Sequence, residues 1–183
     1  NVSREMLQHN PTLTRIRQGV TRRVLSELAK FSEDSGAYAK FWENFGAVMK
    51  EGLYEDSENR EALFKLLRCR STFGDNPVSL ADYVSRMKDG QDTIYYINGD
   101  NIAALLRSPH LEGFKARGVE VLLLTDTVDD FWPGAVAEYQ GKKFKSVTRS
   151  GQDLGKITPA EDKADEKPAA PAGDLDALIA LMK

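Results

Sequence analysis

One short run of apolar residues constrains the fold of this 183-residue chain more than any other feature. Residues 119–124 read Val-Glu-Val-Leu-Leu-Leu, with a single polar side chain among them. A strand with one face in water alternates apolar and polar side chains, whereas a strand buried on both faces does not. The run therefore predicts a central strand in the middle of a small sheet.

Short apolar runs alternate with helical patterns on both sides of this strand. The predicted strands are 93–97, 119–125 and 144–148, with a weaker one at 68–72, and the predicted helices are 79–87, 100–107 and 109–117, with a short one after 127. Strands joined by connections this long pair in parallel, and the connecting helices cover the faces of the sheet. The predicted fold class is α/β, with a small αβα three-layer unit and a mainly parallel sheet.

The first third of the chain has the three-to-four-residue apolar spacing of amphipathic helices. The spacing predicts a helix over 11–31, for which Asn10 is a favourable cap and the proline that follows is a favourable first residue. An aromatic-rich stripe at 38–49 predicts a second helix. Ser57 is expected to cap a third, whose inward face is Leu63, Leu66 and Leu67. This part of the chain is predicted to be a stack of helices.

Beyond residue 149 the composition changes. Residues 150–173 consist largely of Gly, Pro, Ala, Asp, Glu and Lys, with little to bury, which is typical of a linker. Residues 174–183 regain helical spacing and resemble the first turns of a following domain. Because Asn1 is not a methionine and Lys183 directly follows this pattern, we expect both ends to be boundaries within a longer protein.

Composition limits the classes of protein to which the chain can belong. The hydrophobic share is 41%, the charged share is 29% and the net charge is −3, which is the balance of a globular protein. Acidic and basic residues are interspersed without a basic stripe, so no nucleic-acid partner is expected. No apolar run approaches the roughly 18 residues of a membrane span, so no membrane association is expected.

Cys69 is the only cysteine, which excludes an internal disulfide and fits a cytoplasmic location. Its neighbours Arg68 and Arg70 could lower the pKa of the thiol. A cysteine at the start of a strand is nevertheless more often packed and inert than reactive. We interpret Cys69 as a packing residue.

The common catalytic motifs for phosphate, dinucleotide, zinc-protease and serine-hydrolase sites are absent from the sequence. Asp126, Asp129 and Asp130 follow the carboxyl end of the central strand, where open α/β sheets place ligand sites. They could hold Mg²⁺ in a stand-alone metal-dependent phosphotransfer module, although helix capping is the commoner role of such residues. The Asn-Gly-Asp-Asn sequence at 98–101 could meet an anion, but a tight turn and cap is the favoured interpretation.

Two further features are candidates for contacts with other molecules. Phe131 and Trp132 lie in a loop-like setting, so they are either anchors for a partner surface or fold back onto the sheet. If residues 1–8 are helical, Arg4 and Gln8 share one face, where a guanidinium and an amide can both bind an oxyanion. Arg4 could equally pair with Glu5 or lie in solvent.

The sequence Asn-Val-Ser-Arg-Glu-Met-Leu-Gln at 1–8 resembles the 90-kDa heat-shock protein family, in the segment that follows its catalytic loop. The resemblance continues in order through 55–60, 80–88, 94–97, 118–121, 141–144 and 146–148. It covers residues 1 to about 150, and the bacterial branch of the family fits best because long charged insertions and an acidic tail are not seen.

This resemblance implies a domain organisation. Residues 1–67 would be a coil of short helices in the chaperone's middle segment, 68–149 its small αβα subdomain, 150–173 a flexible linker and 174–183 the start of the C-terminal dimerisation domain. The whole protein would be a homodimer.

The resemblance also implies roles for particular residues. ATP and Mg would be bound by a separate N-terminal ATPase domain, with Arg4 and Gln8 reaching its terminal phosphate in a slow hydrolysis reaction. The nucleotide pocket and catalytic carboxylate have no counterpart here, so we expect this chain alone to bind no ATP and to be inactive as an enzyme. Client proteins bind partly on the middle segment, and Phe131 and Trp132 are the residues expected to contribute.

Overall fold

The computed structural model describes residues 10–136, 138–149 and 157. Arg4, Gln8 and the segment 174–183 lie outside the described residues, as does the predicted linker at 150–173 except for Ile157. The domain boundaries therefore stay predictions. Among the described helices, none is long and apolar enough to cross a membrane.

The described residues form helices and strands in alternation after an all-helical start. The α-helices are α1 Pro11–Phe31, α2 Ser35–Glu55, α3 Arg60–Leu66, α4 Leu80–Ser85, α5 Ile102–Leu106, α6 Glu112–Ala116 and α7 Trp132–Ala135. Short 3-10 helices occupy Pro109–Leu111, Thr127–Asp130 and Val147–Arg149. The strands are β1 Cys69–Ser71, β2 Gly74–Val78, β3 Thr93–Asn98, β4 Leu122–Leu124, β5 Glu138–Tyr139 and β6 Lys142–Ser146.

Side-chain caps fix where the first two helices begin. Asn10 Oδ1 accepts a hydrogen bond from the N–H of Thr12 at 2.9 Å, with the intervening proline in the first turn. Asp34 Oδ1 accepts from the N–H groups of Gly36 and Ala37, both at 3.1 Å. Helices α1 and α2 have 21 residues each, so they are longer than the short helices that the family resemblance implied.

The third helix begins later than the sequence predicted. It starts at Arg60, with Asn59 at the cap position and no side-chain cap bond, so the prediction for Ser57 is wrong. Asp56 closes a turn here instead, because its carboxylate accepts from the N and Nδ2 atoms of Asn59 at 3.2 and 2.7 Å. The predicted inward face is confirmed by the burial of Leu63, Leu66 and Leu67.

The apolar stripe of α1 is covered only in part by the rest of the described structure. No residue of this helix is buried, although Leu25 packs against the core. The exposed fraction of the stripe's side chains runs from 40 to 57%, for Leu13, Ile16, Val20, Val24 and Phe31. Helix α1 thus touches the core along a narrow line and presents apolar side chains to solvent.

The sheet has six described strands in the order β2-β1-β4-β3-β6-β5. Strand β3 runs parallel to both β4 and β6, whereas the remaining pairs are antiparallel. The α/β class with a mainly parallel core is therefore confirmed, and so is the central position of β4. Strands β2 and β5 were not predicted: β2 reads Gly-Asp-Asn-Pro-Val, is largely exposed and owes its conformation to pairing with β1.

Each face of the sheet is covered by one cluster of buried side chains. Along β3, Ile94 lies in the cluster that includes Phe64 and Trp132, whereas Tyr95 lies in the cluster that includes Phe114. This alternation follows from the two-residue period of a strand. Helices α2 and α3 contribute to the first cluster, so the helical coil and the sheet share a core.

Two polar contacts tie α4 to the end of the sheet where β4 begins. The hydroxyl of Tyr83 donates to the carbonyl oxygen of Glu120 at 2.8 Å and accepts from the N–H of Tyr95 at 2.9 Å and Nε2 of Gln91 at 3.2 Å. The guanidinium of Arg86 donates two hydrogen bonds of 2.9 Å to the buried carboxylate of Glu120.

Candidate functional site

The opposite end of the sheet carries the candidate site. Strands β3 and β4 are parallel, so their carboxyl ends meet at one edge, and the segment 125–132 follows β4 there. Asp126 and Asp129 form a reciprocal cap at the start of the 3-10 helix, with the N–H of Asp126 donating to Asp129 Oδ2 at 3.0 Å. The capping interpretation of these residues is thus confirmed.

Lys50 of α2 reaches this cap from the helical coil. Its Nζ donates to Asp126 Oδ2 at 2.9 Å and to Asp129 Oδ2 at 2.8 Å. Lys50 and Asp129 are only 5% and 1% exposed, whereas the side chain of Asp126 is 42% exposed. Lys50 and Asp129 therefore join the helical coil to the sheet through a buried ion pair.

The environment of Lys50 keeps it charged. Burial by itself lowers the pKa of the amine, but the Asp129 carboxylate and the hydrogen bonds to Asp129 and Asp126 raise the pKa above its ordinary value. An ammonium is consequently the form of Lys50 that matches the two carboxylates at neutral pH.

The magnesium alternative is not favoured by this geometry. An ammonium already lies within hydrogen-bond distance of both Asp126 and Asp129, at the position where a divalent ion would have to sit. Across the described ranges, no group of three or more His, Cys, Asp or Glu side chains could hold a metal ion. The acidic cluster is better explained as the partner of Lys50.

Trp132 folds back into the core. Its side chain is fully buried, its Nε1 donates to Asp129 Oδ1 at 2.6 Å, and its ring meets that of Phe144 edge to face at 5.3 Å. The anchor role predicted for Trp132 needs an exposed side chain, so of the two alternatives it is folding back that describes this residue.

Phe131 has the opposite environment. Its side chain is 61% exposed, although Asp129, two residues before it, and Trp132, directly after it, are buried. Asn98 holds the same segment from β3, because its Nδ2 donates to the carbonyl oxygen of Asp129 and to Asp130 Oδ1, both at 2.9 Å. Of the predicted aromatic pair, Phe131 alone reaches the surface.

The remaining candidates within the described residues, Cys69 and the segment 98–101, are structural. Burial raises the pKa of the Cys69 thiol to about 12, which outweighs the lowering by Lys50 and by Arg68, so the inert interpretation holds. The segment 98–101 bends at Asp100 between β3 and α5, with Asn101 Oδ1 capping α5 through the N–H of Ala104 at 2.8 Å.

Lys50 is the residue that sequence reasoning missed. It follows Gly46 and precedes Leu53 at helical spacing, and both of these neighbours are buried. A charged residue on the buried face of an otherwise apolar, aromatic-rich helix requires a partner of opposite charge. That signal was present in the sequence, but it could not identify carboxylates more than 70 residues away.

Comparisons with known proteins agree on one family. The family model described as Hsp90 protein matches residues 1–183. "Chaperone protein HtpG" of Paramagnetospirillum magneticum is 55% identical over 185 residues, and that of Roseobacter denitrificans is 52% identical over 184 residues, each match covering all of this chain. The solved middle domain of a putative heat shock protein of Plasmodium falciparum is 30% identical with a TM-score of 0.72, over 77% of this chain and 60% of that one.

The chain spans about 30% of the length of the HtpG relatives that it matches. These relatives are bacterial, as the sequence resemblance predicted.

Proposed function

Because the chain belongs to the Hsp90 protein family, we propose that it acts within the middle region of an ATP-dependent chaperone. In this proposal it contacts unfolded or client proteins and supplies an arginine to a separate N-terminal ATPase domain, which binds ATP and Mg. The chain alone neither binds nor hydrolyses ATP. The whole protein works as a cytoplasmic homodimer whose dimerisation domain begins at residue 174.

The observation that carries the client role is the exposure of Phe131. Phe131 is 61% exposed, while side-chain hydrogen bonds from Lys50 and Trp132 to Asp129 hold the residues on both sides of it in place. An exposed aromatic group on a fixed backbone loses little conformational freedom when it binds, which favours an anchor for apolar partner segments. Phe131 is therefore the proposed client contact.

The test compares two exposed phenylalanines at opposite ends of the sheet. Binding of reduced, carboxymethylated α-lactalbumin, a permanently unfolded polypeptide, is measured by fluorescence anisotropy. Phe131→Ala is expected to weaken binding about tenfold, as for the loss of a good anchor. Phe73→Ala, at a position that is 49% exposed beyond the end of β1, is the matched control and should change binding by less than about twofold. Equal effects of both changes would contradict the client role of Phe131.

The arginine role rests on the family match and on the chemistry of the side chains. A guanidinium donates paired hydrogen bonds to phosphoryl oxygens, and Arg4 with Gln8 would supply such donors to the terminal phosphate of ATP. In other nucleotide hydrolases an arginine supplied in trans accelerates the reaction on the order of 10³- to 10⁵-fold, and we expect less in a slow ATPase.

This role is tested with the isolated N-terminal ATPase domain of the same chaperone. We expect the chain to stimulate its ATP hydrolysis and the stimulation to vanish with Arg4→Ala and to fall with Gln8→Ala. Arg22→Ala, on the exposed surface of α1, is the control and should stimulate like the unmodified chain. Stimulation that survives Arg4→Ala would overturn the assignment.

A further inference from the structure

The exposure of Phe131 requires the support of the structure around it. An exposed phenylalanine next to an apolar core would be more stable if it turned inward, since burial of such a side chain contributes roughly 1.5 to 3 kcal/mol. Something must therefore hold the local backbone in the conformation that points the ring outward.

Asp129 provides that support. Its two carboxylate oxygens accept hydrogen bonds from Lys50 Nζ at 2.8 Å, Trp132 Nε1 at 2.6 Å and the N–H of Asp126 at 3.0 Å. Trp132 is thereby fixed inward immediately after Phe131, so the side chain of Phe131 is left on the solvent side.

Lys50 is the member of this group that comes from another part of the fold. It lies on α2, 79 residues before Asp129, and its ammonium is the only charged donor that the structure gives this carboxylate within the described residues. A buried ion pair adds little stability compared with apolar side chains of similar size, but it specifies one geometry. The contact thus serves to position the segment.

We propose that Lys50 is a positioning residue that acts through Asp129 to hold Phe131 at the surface for client contact. This inference rests on the proposed client role of Phe131. It also links the orientation of α2 to the presentation of the anchor, because Lys50 moves with the helix.

A double-mutant comparison tests the inference in the full 183-residue chain. Lys50→Met combined with Asp129→Asn removes both buried charges together and leaves only the half-exposed carboxylate of Asp126 without its ammonium partner. We expect this change to weaken binding of carboxymethylated α-lactalbumin about fivefold when Phe131 is present and by less than about 1.5-fold in the Phe131→Ala background. Arg86→Met with Glu120→Gln removes an ion pair at the other end of β4, in which only the carboxylate is buried, and should leave binding unchanged.

A second readout reports directly on position 131. A spin label on Phe131→Cys is expected to become more mobile when Lys50 and Asp129 are neutralised, and not when Arg86 and Glu120 are. Buried Cys69, with its raised pKa, should not take the label. If the neutral double variant does not fold, Asp126→Asn, which removes the half-exposed carboxylate partner, replaces it in both measurements with an expected effect of about twofold.

The outcomes separate this inference from the proposed function. No effect of Phe131→Ala on binding would overturn the client role and the inference with it. A clear effect of Phe131→Ala, together with equal losses from neutralising Lys50 in both backgrounds or an unchanged label mobility, would overturn the inference alone.

Discussion

Tyr83→Phe is predicted to destabilise the fold far more than the loss of one oxygen suggests. The hydroxyl group serves three partners at the point where β4 begins: the carbonyl oxygen of Glu120, the N–H of Tyr95 and Nε2 of Gln91. Gln91 keeps a second bond to the carbonyl oxygen of Thr93, but the N–H of Tyr95 and the oxygen of Glu120 lose these partners in a buried place.

Two buried groups each lose a hydrogen bond at a cost of about 1 to 3 kcal/mol, so the expected loss in free energy of unfolding is about 2 to 6 kcal/mol. This is a large share of the roughly 5 to 15 kcal/mol by which domains are stable. The measurement is urea unfolding followed by tryptophan fluorescence. The slope of the free energy of unfolding against urea concentration should be the same for both proteins. Tyr54→Phe, at a position that is 57% exposed, is the control and should change stability by less than about 0.5 kcal/mol. A loss below about 1 kcal/mol for Tyr83→Phe would refute the reasoning, because it would mean that the remaining groups find new partners.

Two further predictions concern Cys69 and the glycines of the helical coil. Burial raises the pKa of the Cys69 thiol from 9.0 to about 12, so the unfolded chain ionises first, and stability should fall by up to about 1.4 kcal/mol per pH unit between those values. The Cys69→Ala variant should lose less stability than the unmodified chain between pH 8 and pH 10.5, as measured by urea unfolding. An identical loss of stability in both proteins would contradict this prediction. A methyl group at Gly46 would lie 2.8 Å from the Trp42 ring, whereas one at Gly19 would meet nothing within 4 Å. Gly46→Ala should therefore lower the free energy of unfolding by about 1 to 3 kcal/mol, and Gly19→Ala should raise it by about 0.5 to 1 kcal/mol. The same sign for both substitutions would show that packing against Trp42 does not decide the outcome.

Local patterns were sufficient for the parts of the fold whose own residues determine them. The cap at Asn10, the central position of β4 and the extent of β3 each follow from a few consecutive residues. Strand β2 could not be predicted in this way, because its exposed sequence with Pro77 has no apolar alternation and only its pairing with β1 makes it a strand.

The candidate site depended on contacts that the sequence does not display. The two aromatic residues at 131 and 132 are adjacent and similar in character, yet one is exposed and the other is fully buried. What distinguishes them is the hydrogen bond from Trp132 to Asp129. The orientation of the Asp129 carboxylate depends in turn on Lys50, which comes from a distant helix. The sequence draws attention to this segment, but it does not tell which of the two aromatic side chains is exposed.

The order of strands in the sheet differs from the order in which they are synthesised. Strands β1 and β3 do not pair with each other, since β4 lies between them and bonds to both. Both β1 and β3 are synthesised before β4. The edges that face each other across the place of β4 therefore carry unpaired N–H and C=O groups until residues 122–124 have left the ribosome. Open strand edges of this kind invite pairing with other chains. A segment of a chaperone family thus itself has, for part of its synthesis, the open strand edges that favour aggregation, and one three-residue strand closes the two edges that face each other, while the other edge of β3 remains open until β6 follows.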